Sequence, residues 1–482
     1  MAEVAYVEDL IDQADDFDRW YVEVVRKAEL ADDAPVRGCK VIRPYGFGLW
    51  ERMVDRLDAR IKATGVENAS FPLFIPQSLF AREAEHIAGF APEVAWVTRG
   101  GNTELDEPLA VRPSSEAIVS AMFAKWVQSY RNLPLLINQW GNVVRWEERP
   151  RAFLRTLEFF WQEGHTCHAT QKEADERTRQ MLEVYRRFIE EDLAVPVVTG
   201  LKTEAEKFAG AYRTYTAEAM MGGKYWALQA GTSHNLADHF GRVFGIEFLD
   251  RDGARKYAHT TSFGLSTRTV GAVVMVHGDD AGLKLPPTVA PVQVIVVPIL
   301  RGKADNADIE AAVARIQDRL EPVARVRVDW REDRTPGFKF NEWELRGVPL
   351  RLEIGPRDLD ADQCVLVRRD TREKLAVPFA NLAVVVADLL PAIQADLFAA
   401  ARRMLTDHTA AVERYDELAK RAADNAGWSL AHWCGDVACE AKVKAETKAT
   451  IRCIPLEQPE EAGACIVCGR SSARRVVFAR AY

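Results

Sequence analysis

The pattern of apolar and polar positions is clearest at residues 143–165, where it predicts two β-strands joined by a short, arginine-rich loop. Because side chains alternate between the faces of a strand, Val143, Arg145 and Glu147 share one face of the first strand. One face of the second strand carries Arg155, Leu157, Phe159, Trp161 and Glu163. Guanidinium groups bind phosphate or carboxylate as planar forks, and an aromatic floor beside an acid suits a small cationic group. An ordinary solvated hairpin is the alternative interpretation.

Two further segments each combine a helix with a strand. Apolar residues recur at helical spacing within residues 48–65, and a short apolar strand follows at 71–76. The helical positions are Leu49, Met53, Leu57 and Ile61. A strand of small residues at 261–267 leads to Arg268, which begins an apolar, helix-like run. Arg268 has no acidic neighbour in the sequence, although an acid distant in the sequence could still be its partner.

A proline-rich link at residues 284–291 separates these segments from a second region. The near-continuous apolar run at 292–299 predicts a buried strand. A helix is then indicated by apolar spacing at Ile309, Val313, Ile316 and Leu320. Further strands are predicted at 323–328, 349–354 and 363–368, and a long helix at 381–408. With 482 residues, we expect about three domains, at 1–285, 290–402 and 403–482.

Four cysteines in the last region have the spacing of metal ligands. Cys434 and Cys439 have four residues between them, and Cys465 and Cys468 form a C-x-x-C pair. Four thiolates at such spacing predict a tetrahedral, structural Zn²⁺ site with no open position for water. A disulfide framework is a weak alternative in a cytosolic chain. The remaining cysteines lack ligand spacing and are expected to be buried thiols: Cys39, Cys167, Cys364 and Cys453.

Composition and charge restrict the class of protein. Hydrophobic residues make up 48% of the chain, which is enough for sizeable cores, and the net charge is −8. A pI near 5.8 argues against nonspecific nucleic-acid affinity, but it leaves local basic patches open. The N-terminus is acidic rather than basic and then apolar, and we expect no apolar run of membrane-spanning length. The prediction is a cytoplasmic protein without a membrane partner.

Several motifs together resemble those of class II aminoacyl-tRNA synthetases. Val-Arg-Trp-Glu at 144–147, Phe-Leu-Arg-Thr at 153–156 and Phe-Trp-Gln-Glu-Gly-His at 160–165 resemble motif 2. Residues 48–76 resemble motif 1, and Thr-Ser-Phe-Gly-Leu-Ser-Thr-Arg at 261–268 resembles motif 3. The match is closest to the prolyl enzymes of the archaeal/eukaryotic-like type. The resemblance implies an antiparallel-sheet catalytic domain, an α/β anticodon-binding domain and a small C-terminal zinc-binding α+β domain.

The resemblance also implies roles for individual residues in ATP-dependent attachment of L-proline to tRNA(Pro). Arg145 and Arg268 are the implied catalytic residues. The implied proline pocket consists of Ser114, Glu116, Arg145, Phe159, Trp161, His234 and Ser262. The implied ATP site consists of Arg145, Glu147, Arg155, Gln229, Thr232, Ser266 and Arg268. Ser114 stands where the family usually has threonine; the hydroxyl is kept, but the missing methyl changes the packing.

The second region resembles the anticodon-binding domain that prolyl, threonyl, histidyl and glycyl synthetases share, most closely at residues 334–357. Bases splayed out of an RNA loop are read by hydrogen-bonding side chains. Glu344, Arg351 and Lys374 are the candidates, because arginine can contact guanine and glutamate can accept from a base amino group. An ordinary charged sheet edge explains each of the three at least equally well.

The implied partners are ATP, L-proline and tRNA(Pro), with Mg²⁺ accompanying ATP, structural Zn²⁺, and a second copy of the chain in a homodimer. A threonyl or histidyl enzyme is the alternative within the class, but a threonyl pocket would be expected to carry metal ligands. A catalytically inactive relative would be expected to lose Arg145, Arg155 and Arg268, which are all present. A zinc protein that binds RNA without catalysis would leave the first 285 residues unexplained.

Overall fold

The computed structural model describes residues 10–86, 94–147, 150–301 and 305–481. Tyr482, which matches the tyrosine at the end of the resembling enzymes, lies outside these residues. In the first region the helices α1 to α7 are Phe17–Lys27, Pro44–Lys62, Gln77–His86, Glu116–Trp126, Gln171–Arg187, His239–Phe244 and Arg268–His277. The strands β1 to β14 are Ala31–Asp33, Lys40–Ile42, Glu67–Asn68, Phe74–Pro76, Trp96–Gly100, Thr103–Val111, Leu135–Val144, Glu158–His168, Val197–Leu201, Arg213–Met220, Ala227–Ala237, Glu247–Leu249, Arg255–Tyr257 and His259–Ser266.

An antiparallel sheet is the centre of the first region. Its strands run in the order β9-β10-β11-β14-β8-β7, and β3 adds a parallel pair at the β7 edge. Helix α5 packs across this sheet and begins with a capping box in which Thr170 and Glu173 satisfy each other's backbone N–H groups. Helix α2 presents its predicted apolar positions to the same core. The expected antiparallel-sheet domain is confirmed.

Helix α2 begins at Pro44, four residues before the predicted segment, and ends at Lys62. Proline at the first helical turn extends the helix backwards, because its missing N–H would have no intrahelical partner there. The predicted hairpin also differs, since its strands stop at Val144 and start again at Glu158. Pro150 lacks a ladder donor and Phe153 has φ of 62°, so residues 150–157 form a turn instead of extending strand β8.

The second region is an α/β unit, as predicted. Its helices α8 to α11 are Ala307–Leu320, Pro336–Leu345, Pro356–Asp360 and Leu382–Asp407. Its strands β15 to β19 are Val294–Pro298, Val326–Val328, Leu350–Ile354, Gln363–Arg368 and Lys374–Pro378. They form a mixed sheet in the order β16-β15-β17-β18-β19, with β15 parallel to both neighbours. The predicted apolar positions of α8 are all buried in its core.

Helix α11 corrects the expectation that no apolar run reaches membrane-spanning length. Within Phe379–Asp407, an 18-residue window with a mean hydropathy of 1.8 is long and apolar enough to pass a composition test for a membrane span. One side of the helix, from Leu382 to Leu397, packs into the core of the second region, and Leu405 joins a core of the third region. Its apolar character therefore has a packing explanation within the fold.

The third region contains the helices α12 and α13 at Tyr415–Ala423 and Val437–Thr447. Its strands β20 to β25 are Thr409–Ala411, Trp428–His432, Ala449–Pro455, Gly463–Ala464, Ser471–Ser472 and Arg475–Arg480. Strand β22 pairs with β25 on one side and with β9 of the first region on the other. One sheet of 11 strands therefore runs through both regions, which was not foreseen from the sequence.

Candidate active site

A cavity of about 230 Å³ lies on the face of the central sheet, among strands β8, β11 and β14. Eleven of the thirteen residues predicted for proline and ATP line it. They are Ser114, Glu116, Arg145, Phe159, Trp161, Gln229, Thr232, His234, Ser262, Ser266 and Arg268. Residues far apart in the sequence are brought together because β8, β11 and β14 are neighbours in the sheet.

Arg145 is fixed at the end of β7, where its backbone N–H donates to the Leu157 carbonyl at 2.8 Å. Its Nε donates to the Pro113 carbonyl at 2.9 Å. The guanidinium carbon lies 5.4 Å from the ring centre of Phe159 and 5.2 Å from that of Trp161. Burial lowers the pKa of Arg145, and the charges of Glu116 and Glu163 partly offset that effect. The guanidinium thus packs against both rings at the cavity wall, while part of the side chain stays exposed to solvent.

Three buried polar atoms beside the cavity have no hydrogen-bond partner within the protein: Glu116 Oε2, Trp161 Nε1 and Ser262 Oγ. Buried polar groups are normally satisfied, so these atoms indicate a ligand that supplies the missing partners. These three atoms are a carboxylate oxygen, an indole N–H and a hydroxyl, and they lie beside the aromatic wall of the cavity. It suits a small molecule with a cationic amine and an apolar body.

His234 closes another side of the cavity. Its Nδ1 lies 3.0 Å from Thr214 Oγ1, and its ring centre lies 4.7 Å from that of Phe208. Burial, followed by the charges of Arg145 and His165, lowers the pKa of His234 to about 3. The imidazole is therefore neutral at physiological pH and contributes a polar wall without charge.

Strand alternation predicted Glu163 on this face, and in the structure its carboxylate accepts hydrogen bonds from residues around the cavity. Its carboxylate accepts from the Ser115 backbone at 3.0 Å, from Gln139 at 2.8 Å and from His165 at 3.2 Å. Burial alone would lower the pKa of His165, but the bond to Glu163 raises it. This network fixes the loop that carries Ser114 and Glu116.

Four other lining residues come from residues 202–214, where no sequence motif indicates a site. They are Glu206, Lys207, Phe208 and Thr214. The segment follows β9 and carries no motif, so only the tertiary structure brings it over the cavity.

Arg268 starts helix α7 and lines the same cavity as Glu116. Its Nε donates to the Leu154 carbonyl at 3.2 Å and its Nη1 to the Gln229 carbonyl at 3.3 Å. Burial, with the charges of Arg145 and Arg155, lowers the pKa of Arg268 to about 10. No salt bridge joins Arg268 to a carboxylate in the described part of the chain, so the predicted alternative of a distant acid has no support there.

Glu147 and Arg155 do not line the 230 Å³ cavity. Their side chains face each other with Oε2 and Nε 3.6 Å apart, and Arg155 instead lines a second cavity of about 330 Å³ beside Arg268. Both come from the segment between β7 and β8 that is turned rather than paired. Strand alternation therefore predicted the wrong position for Arg155, which lines the neighbouring 330 Å³ cavity and not the 230 Å³ cavity.

The three anticodon candidates line a cavity of about 200 Å³ on the sheet of the second region. Glu344 pairs with Arg372 at 3.1 Å, and Arg351 pairs with Glu353 at 2.8 Å while its guanidinium lies 4.5 Å from the ring centre of Phe340. Lys374 begins β19 and is exposed. The proximity of the three is a property of the fold, and their contact with bases stays a prediction.

The four predicted metal ligands converge in the third region. Their sulfur atoms all lie within 4.8 Å of one another, and Cys434 Sγ is 3.9 Å from Cys439 Sγ and 3.6 Å from Cys468 Sγ. Four sulfurs about 2.3 Å from a common zinc are about 3.8 Å apart, so the cluster fits a tetrahedral metal ion. A hydrogen bond from Arg470 lowers the pKa of Cys468. Of the other cysteines, Cys39 is half-buried rather than buried as expected.

Comparison with known protein families matches all three regions. Residues 96–277 match the tRNA synthetase class II core domain (G, H, P, S and T), residues 293–389 the anticodon binding domain, and residues 415–482 the prolyl-tRNA synthetase C-terminal domain. Together with the antiparallel sheet and its cavity, these matches define a class II aminoacyl-tRNA synthetase.

Full-length relatives narrow the assignment. The chain is 53% identical to a proline–tRNA ligase of Natranaerobius thermophilus, with 99% of each chain covered, and 52% identical to that of Symbiobacterium thermophilum. A prolyl-tRNA synthetase from Cryptosporidium parvum, solved with halofuginone and AMPPNP, has a TM-score of 0.94 and 40% identity, covering 98% of this chain and 99% of its own. The chain belongs to the proline–tRNA ligase family, whose reaction is the ATP-dependent attachment of proline to tRNA.

Proposed function

We propose that the 230 Å³ cavity forms prolyl-adenylate, with Arg145 and Arg268 as its catalytic side chains. The observation that carries this proposal is that two guanidiniums and an unpartnered, buried acid line the same cavity. Guanidiniums at one end suit phosphate and carboxylate, whereas Glu116 and the aromatic wall suit the secondary amine and ring of proline.

In the first step the proline carboxylate attacks the α-phosphate of ATP and pyrophosphate leaves. Arg145 lies between the two ends, so it bridges the carboxylate and the α-phosphate, while Arg155 and Arg268 hold the outer phosphates. Positioning and stabilisation of charge on phosphate oxygens account for most of the catalysis. In the second step the 3′-terminal hydroxyl of tRNA attacks the adenylate, which releases AMP. That the Cryptosporidium parvum relative was solved with AMPPNP supports an ATP site here.

The other predicted residues contact the amino acid or the nucleotide. Ser114, Phe159, Trp161, His234 and Ser262 shape the proline pocket, because all five line the cavity next to Glu116. Glu147, Gln229, Thr232 and Ser266 fix the nucleotide. Mg²⁺ enters with the triphosphate, and its role is to neutralise the phosphate charge.

The cysteine cluster supports a structural role for Zn²⁺, held by Cys434, Cys439, Cys465 and Cys468. Four protein ligands complete the tetrahedron and leave no position for substrate. The three family matches fall within the proposed domains 1–285, 290–402 and 403–482. We also propose a cytoplasmic homodimer that charges tRNA(Pro) and needs no membrane. Exposed Leu73 and Phe74, next to the motif 1 helix, are apolar enough to support the dimer.

Substrate identity is tested by ATP–pyrophosphate exchange with each of the twenty amino acids. We expect proline to give the strongest exchange, because the pocket offers an acid for the amine and an aromatic wall for the ring. A dominant signal from threonine or histidine would show that the pocket has been assigned to the wrong amino acid. Light scattering of the purified chain measures the proposed dimer independently.

The anticodon candidates are tested by separating charging from adenylation. Arg351→Ala is expected to reduce charging of tRNA(Pro) by roughly fivefold to 150-fold, because one lost bidentate base contact is worth about 1–3 kcal/mol. Proline-dependent exchange should stay within twofold, since Arg351 lies in a different region from the active site. Arg319→Ala, on the outside of the same region, is the control. If Arg351→Ala charges tRNA normally, Arg351 is an ordinary sheet-edge residue.

A further inference from the structure

The second cavity, of about 330 Å³, lies where the first and third regions meet, next to the phosphate end of the proposed active site. Its lining is drawn from both regions. The first region contributes Leu154, Arg155, Glu206, Ala227, Leu228, Gln229 and Arg268, and the third contributes Lys444, Thr450, Arg452 and Ala481. The C-terminal region therefore places two cations beside the arginines proposed to hold the outer phosphates of ATP.

Arg452 is held rigidly at this boundary. Its Nε and Nη2 donate to Glu218 Oε2 at 3.1 and 3.0 Å, and its Nη1 donates to Thr450 Oγ1 at 3.1 Å. Lys202 donates to the other oxygen of the same carboxylate at 2.7 Å. Glu218 is fully buried, and it sits opposite Gln229 in the β10–β11 pairing. Two cations thus share one carboxylate, which leaves one positive charge without a partner.

Lys444 reaches the same cavity from helix α13. Its Nζ lies 3.1 Å from Glu206 Oε1, and the lysine side chain is 61% exposed. Glu206 also lines the 230 Å³ cavity, so Lys444 and the proline pocket share a wall. The lining of the cavity carries four cations against one acid, Glu206; the cations are Arg155, Arg268, Lys444 and Arg452. A concave, positively charged site of this kind favours a multiply charged anion.

We propose that Lys444 and Arg452 of the C-terminal region complete the pyrophosphate end of the active site. Lys444 binds the outer phosphate oxygens, while Arg452 is a positioning residue that keeps Glu218 and the neighbouring Arg268 in place. The inference rests on the proposed function, because it extends the same ATP site. It makes the C-terminal region part of the adenylation machinery and not only an appended metal-binding unit.

The test is exchange measured over a range of pyrophosphate concentrations, with ATP and proline saturating. Lys444→Gln should raise the half-saturating pyrophosphate concentration roughly threefold to tenfold, the effect of losing one partly exposed charge-assisted contact. The half-saturating proline concentration should stay within twofold, and Lys444→Arg should restore binding. Lys442→Gln is the matched control, because Lys442 lies on the same helix, is exposed, and packs over Tyr415 instead of the cavity.

Arg452 is tested by the pair Arg452→Gln and Arg452→Lys. The glutamine variant should raise the pyrophosphate constant and the lysine variant should restore most of it, with the proline constant unchanged in both. A purely structural residue would move both constants together. Thermal unfolding shows which variants are folded, and if Arg452→Gln is unfolded, the Lys444 series and Arg452→Lys decide.

Direct calorimetric titration of pyrophosphate into the same full-length variants tests pyrophosphate binding by Lys444 separately from the proposed formation of prolyl-adenylate. If proline fails to stimulate exchange in the wild type, the proposed function is wrong, and the titration still reports whether Lys444 binds pyrophosphate. If Lys444→Gln and Lys442→Gln bind pyrophosphate equally well, Lys444 forms only an ion pair between regions and the inference is overturned.

Discussion

Arg145→Ala is expected to reduce proline-dependent ATP–pyrophosphate exchange by at least a hundredfold. Removing one preorganised donor that stabilises transition-state charge costs about 2.7–4 kcal/mol, and Arg145 is proposed to contact both the amino acid and the α-phosphate. Arg145→Lys should recover only part of the rate, because an ammonium cannot replace the planar fork. Arg268→Ala should also lose roughly a hundredfold, and Arg145→Ala should be the worse of the two.

The control for these variants is Arg131→Ala, which removes an exposed guanidinium outside both cavities. Thermal unfolding should show that Arg145→Ala and Arg268→Ala keep the fold, because their side chains bond mainly to carbonyls rather than to core partners. Exchange at the wild-type rate in a folded Arg268→Ala variant would remove Arg268 from the catalytic set. An Arg145→Ala variant milder than Arg268→Ala would contradict the bridging role.

Cys465→Ser is expected to abolish binding of one Zn²⁺ per chain. A structural site couples metal binding to local folding, and in zinc-finger peptides the apparent binding free energy is about 10–16 kcal/mol. The loss should therefore destabilise the segment that contains α13 and the hairpin of β23 and β24. Metal analysis of protein purified without chelator measures occupancy, and limited proteolysis measures local unfolding.

Cys39→Ser is the matched control, because Cys39 lies outside the cluster and is half-buried. Adenylation by Cys465→Ser should be slower but present, since the first region has its own core, while β22, Lys444 and Arg452 of the third region contact it. Wild-type protein without zinc would refute the site, and full occupancy in Cys465→Ser would mean that other ligands hold the metal.

Strand alternation was sufficient to find much of the site. It predicted that Phe159, Trp161 and Glu163 share a face, and in the structure this face forms the floor of the cavity and its support. The apolar spacing of α2 and α8 was equally reliable, because a buried helical face requires that period wherever the helix lies. Strand alternation and helical spacing depend only on the local backbone geometry, so they can be predicted without knowing which elements pack against the strand or helix.

Strand alternation predicted the wrong position for the Arg155 side chain, because the prediction assumed that the strand included Arg155, which lies in a turn. Strand alternation also could not predict the order of the strands in the sheet. Strands β8, β11 and β14 become neighbours only through pairings between residues that are distant in the sequence. For the same reason, nothing in residues 202–214 indicated that four of them line the 230 Å³ cavity.

The sequence by itself determined the class of the protein, the arginines proposed to bind phosphate and the cysteines proposed to bind zinc, because these depend on residue type and short spacing. Only the tertiary structure decided that β22 extends the catalytic sheet and that Arg452 shares Glu218 with Lys202. A strand edge such as β9 accepts any extended segment of suitable register, so its partner is selected by the packing of the whole chain. The joining of the C-terminal region to the active site is therefore a property of the assembled fold.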